Sequence, residues 1–485
     1  MNELPGAKRE SVRGDVVVLK FGGTSVEDAA AIRRMARIVQ SRTEVRPVVV
    51  VSALAKVTDQ LLSAAQAAGE GKLDYSNATV TSIRLRHRQI VGELLDAEDC
   101  AHLYQAFEAD FQQLNVAICQ VAGAGRLAPR AQDAILSFGE HLSSKLATAV
   151  LRAHSIDAVH FDAATAIVTD SRHTRATPLW ERTFENLSKD LESLVETHRV
   201  PVMGGFIATT SDGVPATLGR GGSDLTASIV GAALHAGRVE IWTDVNGIMT
   251  TDPNVCPDAR RIPQMSFEDA SELAYFGAKV LHQATLLPAM RANVPVHVLN
   301  SRNPECEGTE IRACVKGSGQ VRALTAKRGV TVVEVELRES VDAELLRKVF
   351  AAFDRHQCPV DLMAASPRRL SFVVASLAAL PKVAAELRGI ANFTWENHKA
   401  LVCVVGENLR RQPKVASRVF AAVSDMDVRI LCLGASDRTL SFLVEEERAE
   451  ESVRRLHALF FSDRKPISSS TLNSAALCQA GESWR

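Results

Sequence analysis

The sequence predicts an α/β fold: one large domain built on a mainly parallel sheet, then two small ferredoxin-like α+β modules. Three observations predict it. Short apolar runs alternate with helical stretches over residues 15–302. A punctuated stretch, NPECEGTEIRACVKGSGQ (303–320), reads as a boundary. Beyond it, a sequence pattern returns at a fixed interval.

The strand candidates of the large domain are DVVVLKF (15–21), PVVVVSA (47–53), AVHFD (158–162), VPVMGGFIA (200–208), VEIWTDV (239–245) and PVHVLN (295–300). Short, nearly continuous apolar runs are the mark of strands buried on both faces. Between the first two, Ala29, Ile32, Ala36 and Val39 recur at spacings of three and four, which predicts a helix over 26–40. Thr24 with Glu27, and Ser25 with Asp28, have the spacing of helix caps. Strands alternating with helices imply a parallel sheet.

In the second half VFAAF (349–353) returns as VFAAV (419–423), AAS (364–366) as GAS (434–436), and RRLSFVV (368–374) as DRTLSFLV (437–444). All three matches share one offset, 70 residues. The unit reads strand, helix, strand, strand, helix, strand, which is ferredoxin-like. The expected division is 15–302 for the large domain, 321–396 and 399–463 for the two modules, and 464–485 for a flexible tail.

Bulk properties exclude several function classes. Formal net charge is −1, so there is no basic footprint for nucleic acid and no polybasic membrane arm. No apolar run approaches a membrane span, and residues 1–14 lack the apolar stretch of a signal peptide. The nine cysteines are scattered without a C-x-x-C pair, as expected of reduced thiols in a cytoplasmic protein.

Three segments carry the chemistry. In LKFGGTSVED (19–28), Lys20 and then Gly22 and Gly23 stand where a buried strand hands over to a helix. Glycines there let backbone N–H groups approach a phosphate, and a lysine adds full positive charge. A tight turn with a strand-end lysine is the plainer alternative. In TLGRGGSDLTASIVGAAL (217–234), Arg220 lies among glycines, and Ser223 and Asp224 open a helix. The arginine's planar fork suits a carboxylate or phosphate. In VEIWTDVNGIMTTDP (239–253), a strand ends at Thr243 and Asp244 before an Asn246-Gly247 turn; this could wrap a nucleotide or be a plain loop. Three single residues read most simply as structural: Glu140 at capping-box distance from Ser137, Thr58 as an N-cap, and Lys279 on a solvated helix face.

Taken together, these segments resemble the aspartokinases of the amino-acid kinase family. The resemblance rests on KFGGTSV (20–26), SALAKVT (52–58), SFGE (137–140), TLGRGGSD (217–224), IWTDVNGI (241–248), TTDP (250–253) and FGAKVLH (276–282), in that order. The 70-residue repeat is similar to the paired ACT regulatory modules of that family. The resemblance implies an amino-acid kinase domain that uses ATP, with Mg2+ carried on it, to phosphorylate the β-carboxylate of L-aspartate. That reaction opens the route to lysine, threonine, methionine and diaminopimelate. A homodimer or higher homo-oligomer, with no nucleic-acid or membrane partner, is also implied.

By the same resemblance, Lys20 contacts the transferred phosphate and Asp224 orients it or the metal. Thr58, Glu140, Arg220 and Ser223 bind aspartate, Arg220 through the α-carboxylate and Glu140 through the α-ammonium. Gly22, Gly23, Thr243, Asp244, Met249 and Lys279 face the nucleotide. Met249 stands where a tyrosine is frequent, Asn254 where arginine is common, and Gln283 where proline is. In the first module Glu344 replaces a glycine and Pro367 an acidic residue of lysine-sensitive relatives. An amino-acid effector is therefore expected without its identity. The alternatives are a non-catalytic amino-acid sensor and a kinase of another small acidic metabolite.

Overall fold

The structure, a computed structural model, describes residues 15–277, 281, 283–315, 321–338, 340–375, 377–433 and 436–462. The strands of the large domain are β1 Val17–Phe21, β2 Pro47–Val51, β3 Ala158–His160, β4 Val168–Thr169, β5 Val200–Gly204, β6 Ile207–Thr210, β7 Pro215–Thr217, β8 Arg238–Thr243, β9 Gln264–Ser266, β10 Val296–Asn300 and β11 Thr309–Arg312. Eight form one sheet in the order β3-β5-β2-β1-β8-β10-β11-β9. Every neighbouring pair is parallel except β10 with β11. β1 lies between β2 and β8, and all five residues of β1 are buried. The apolar runs of the sequence are thus strands covered on both faces, as their composition required.

Four details differ from the sequence reading. The run VPVMGGFIA is two strands, because the chain turns at Gly205 and Phe206, where Phe206 takes a φ of +66°. The second piece, β6, joins a separate sheet in the order β4-β6-β7. The first helix is Ala29–Gln40, capped by Asp28, whose carboxylate accepts from the Ala31 N–H at 2.7 Å. Neither Thr24 nor Ser25 caps it; Gly23–Ser25 is a separate single turn of 3-10 helix. The stretch read as a boundary contains β11, which extends the main sheet through residue 312.

The remaining strands are β12 Val321–Leu337, β13 Val360–Ala365, β14 Arg369–Val374, β15 Ala391–Gly406, β16 Leu431–Leu433 and β17 Thr439–Glu445, in one sheet ordered β13-β14-β12-β15-β17-β16. With helices Ala343–Arg355, Leu380–Leu387, Pro413–Ala422 and Ala449–Phe461 they build two ferredoxin-like modules. The repeated LSF segments fall at equivalent places, in β14 and β17. The modules exchange strand halves. Residues Val321–Arg328 pair with Ala400–Gly406, whereas Val332–Leu337 pair with Ala391–Glu396. Val321 and Leu324 pack with residues beyond 400, and Val333 and Val335 pack with Phe353 and Phe372. Consecutive residue ranges do not capture that division. The proposed tail at 464–485 lies outside the described residues.

Among the described residues, the modules grip the large domain at helix Phe267–Tyr275 and at the loop after β8. Arg438 Nη1 donates to Asp269 at 2.8 Å and Ser436 Oγ to Glu272 at 2.8 Å, both on helix Phe267–Tyr275. Tyr275 Oη donates to the Asp361 carbonyl at 3.0 Å. Thr250, in the loop after β8, lies 2.9 Å from His457 Nε2 on the last helix, and both residues are buried. No described helix is long and apolar enough to cross a membrane.

Candidate active site

The carboxyl ends of β5, β2, β1, β8 and β10 share one edge of the sheet, because those strands are parallel and adjacent. Open α/β sheets bind ligands at that edge. Lys20 is the penultimate residue of β1, 7 % exposed. Its Nζ lies 2.6 Å from Asp224 Oδ1, in the first turn of helix Gly222–Ala233. Burying an ammonium is costly unless an opposite charge lies beside it. The helix also aims its N-terminal N–H groups at this edge, adding partial positive charge.

Glycines let the surrounding backbone come this close. A Cβ on Gly205 would sit 2.6 Å from Ser223 Cα, and one on Gly204 would sit 3.0 Å from Glu140 Cβ. A Cβ on Gly139 would meet that of Ala53 at 2.8 Å. Gly22 stands beside the Lys20 ammonium, and its N–H donates to the Trp242 carbonyl at 3.0 Å. Gly23 accepts from the Ala55 N–H at 3.2 Å. The loops after β1, β2, β5 and β8 are thereby tied to one another and to helix Phe138–Ala153.

Glu140 is 4 % exposed in the first turn of that helix. It is not half of a capping box. Ser137 has helical φ and ψ and donates to the Ala134 carbonyl at 2.8 Å, because two helices run almost directly into each other there. Burial pushes the Glu140 carboxyl up to about 8, against the opposing pull of the Ala53 N–H and the Lys20 charge. One of its oxygens meets no hydrogen-bond partner among the described residues. A buried, half-satisfied carboxyl of this kind is suited to receive a cation from a ligand.

Ser223 is buried beside Gly205. Arg220 is exposed on the turn before the helix, between Gly219 and Gly221, both with φ of +73°. Thr58 is half-buried, but in the second position of helix Val57–Gly69; the N-cap is Lys56, in a left-handed conformation, so Thr58 is not the cap. Thr243 ends β8, and its carbonyl accepts from Ser301 Oγ at 3.1 Å; Asp244 is exposed next to it. Met249 lies farther along, bridging to Arg261 across a short antiparallel contact. Lys279 falls outside the described residues. The structure therefore brings together Lys20, Glu140, Ser223, Asp224 and the two glycines, with Arg220 on a flanking turn and Thr243 at the end of β8.

Two residues escaped the sequence reading. Ser25 Oγ lies 2.8 Å from Ser301 Oγ and donates to the Trp242 carbonyl at 3.1 Å. This pair ties the glycine turn to the ends of β8 and β10. The available signal was the polar run NSRN directly after an apolar strand, where a parallel strand's carboxyl end must face a ligand edge.

A family model described as the amino acid kinase family matches residues 15–300. Lysine-sensitive aspartokinase 3 of Escherichia coli is 35% identical over 467 residues, covering 92% of this chain and 99% of that protein. The chain belongs to the aspartokinases. A crystal structure of E. coli aspartokinase III in complex with aspartate and ADP, called the R-state, matches at a TM-score of 0.84 and 34% identity, over 92% of this chain and all of that one. The same enzyme in complex with lysine and aspartate, called the T-state, matches at 0.76 with the same identity and coverage. A second family model, for the ACT domain, matches residues 402–460, within the second module of this aspartokinase chain.

Gly205→Ala tests the packing argument. The added Cβ cannot coexist with Ser223 Cα, so the helix start must shift and draw Asp224 away from Lys20. Turnover should fall by at least roughly tenfold in a steady-state assay, since small misplacements of positioned groups are costly. Unchanged kinetics in a folded variant would show that the close approach is not needed.

Proposed function

We propose that the chain transfers the γ-phosphoryl group of ATP to the β-carboxylate of L-aspartate, giving ADP and 4-phospho-L-aspartate. The observation that carries this reading is the Lys20–Asp224 pair at the sheet's carboxyl edge, beside a buried carboxyl with an unused oxygen. The E. coli relative bound to aspartate and ADP supports the substrate pair.

The chemistry needs no general base. The side-chain carboxyl of aspartate titrates near about 3.9 in water, so it is ionised at neutral pH. One of its oxygens forms a bond to the γ-phosphorus as the β–γ bridging bond breaks, and the electron pair leaves on ADP. The obstacle is repulsion between an anionic nucleophile and a polyanionic nucleotide, so catalysis is positioning and charge neutralisation. Lys20 supplies charge at the phosphoryl group, held in place by Asp224. Glu140 receives the α-ammonium and Arg220 clamps the α-carboxylate, with Ser223 and Thr58 adding hydrogen bonds. Gly22, Gly23, Thr243, Asp244, Met249 and Lys279 serve the nucleotide. Magnesium would arrive on the nucleotide phosphates, which need few dedicated protein ligands. When bound there, it supplies further positive charge.

An amino-acid effector acts through the modules in this reading. Support comes from the clasp on helix Phe267–Tyr275 and from Thr250 against His457, which join both modules to that helix and to the loop after β8. The lysine complex of the relative makes lysine one effector to titrate, beside threonine and methionine. At the position of Glu344 the side chain pairs with Lys348 at 2.8 Å on an exposed helix face.

A coupled assay of ADP release should show turnover with aspartate and little with glutamate or acetylglutamate, and Lys20→Ala should lose most of it. Equal rates across the three acids, or a fully active Lys20→Ala, would contradict the reading. The Glu140 carboxyl adds a pH signature. It is protonated in the free chain below about 8, and the ammonium is received by the ionised form. The KM for aspartate should therefore rise as pH falls through about 8, and Glu140→Gln should bind weakly with that dependence flattened. A wild-type KM that stays level across that range would remove Glu140 from the ammonium site.

A further inference from the structure

We propose that Asp133 is a positioning residue that sets the spacing between the two groups gripping the amino-acid substrate, the Glu140 carboxyl and the Arg220 guanidinium. This rests on the substrate reading given above.

Asp133 is fully buried in helix Pro129–Leu136. A buried carboxylate has to be satisfied by donors, and here they come from one direction. Thr217 Oγ1 donates to Oδ1 at 2.6 Å. The Thr174 N–H reaches both carboxylate oxygens at 3.0 Å. His173 Nδ1 lies 2.8 Å from Oδ2. None of these partners is on Asp133's own helix.

The partners are specific to the substrate loops. Thr217 is the last residue of β7, three positions before Arg220. Thr174 holds a φ of +68°, which a β-branched residue adopts only under constraint from its surroundings. Its N–H bonded to Asp133 is that constraint. The Thr174 carbonyl in turn would lie 3.0 Å from a Cβ on Gly219, so the strained turn is pressed against the glycine that precedes Arg220. The Ala176 N–H donates to the Thr217 carbonyl at 3.0 Å, closing the connection. On the other side, helix Pro129–Leu136 runs through Ser137 into helix Phe138–Ala153, whose first turn carries Glu140. One carboxylate thus joins the helix pair that presents the ammonium acceptor to the turn that presents the carboxylate clamp. Arg220 stands exposed on that turn, so its backbone position follows the turn.

The expected signature is selective. Losing the Asp133–Thr217 bond should loosen the grip on the amino acid and leave the nucleotide edge, on β1 and β8, unchanged. Thr217→Val removes the hydroxyl at similar volume, Thr217→Ser keeps it, and Asp133→Asn weakens every bond in the set. In steady-state assays with both substrates varied, Thr217→Val and Asp133→Asn should raise the KM for aspartate about tenfold, with the KM for ATP within about twofold of wild type. Thr217→Ser should restore the wild-type value. Arg220→Lys is the control for the substrate reading itself. If it raises the aspartate KM and Thr217→Val does not, the positioning role is wrong and the substrate reading stands. If Arg220→Lys leaves the aspartate KM alone, the substrate reading fails and the proposal with it. If Thr217→Val weakens both substrates and turnover equally, in step with a lowered thermal midpoint, Asp133 is only a structural anchor. Should Asp133→Asn not fold, the Thr217→Val and Thr217→Ser pair decides alone.

Discussion

The buried contact between Lys20 and Asp224 is the constraint on which the site depends. It joins the central strand of the sheet to helix Gly222–Ala233, which carries Ser223 and Asp224 in its first turn. An exposed ion pair is worth little, about 0–1 kcal/mol. With side chains 9% and 15% exposed, this one belongs to the other regime. Removing one partner of a buried pair costs roughly 3–5 kcal/mol, because a charge is left alone in a poor solvent. Each group therefore holds the other at the place where the sheet's carboxyl edge meets a helix N-terminus. That place sets an ammonium and helix N–H groups side by side, the donors that a phosphoryl group moving between two anions requires.

Close approach of backbone is the second ingredient. Gly204 lies against Glu140, Gly205 against Ser223 and Gly139 against Ala53. Side chains at any of these positions would push apart elements that each bring one group to the site. The same economy explains the fate of Glu140. Packed against Gly204 and screened from water, it rises to about 8 and keeps one oxygen free. A capping glutamate on an exposed helix start would show neither property.

Much of the frame was legible because composition and periodicity report burial directly. The runs at 15–21, 47–53, 239–245 and 295–300 are β1, β2, β8 and β10, and the 70-residue repeat marks the two modules. Of the candidate site residues, the sequence marks Lys20 at a strand end and Asp224 at a helix start, and the fold sets these two against each other. The site was not legible where the decisive fact is tertiary. Ser137 and Glu140 have the spacing of a cap, yet a preceding helix runs straight into theirs and removes the need for one. Ser25 meets Ser301 across 276 positions, and Asp133 meets Thr217 across 84. No local pattern encodes those meetings. The exchanged strand halves of the modules are of the same kind: residues 321–328 pack with a part of the chain that follows them by some seventy positions or more.

The most direct test of the central claim is a double-mutant cycle across Lys20 and Asp224, using Lys20→Met and Asp224→Asn, read in single-turnover phosphoryl transfer. If the two groups act as one unit, each single change should lose most of the rate and the double change little more, giving a coupling energy of at least about 1–3 kcal/mol. Additive losses, with each residue contributing independently, would contradict the account.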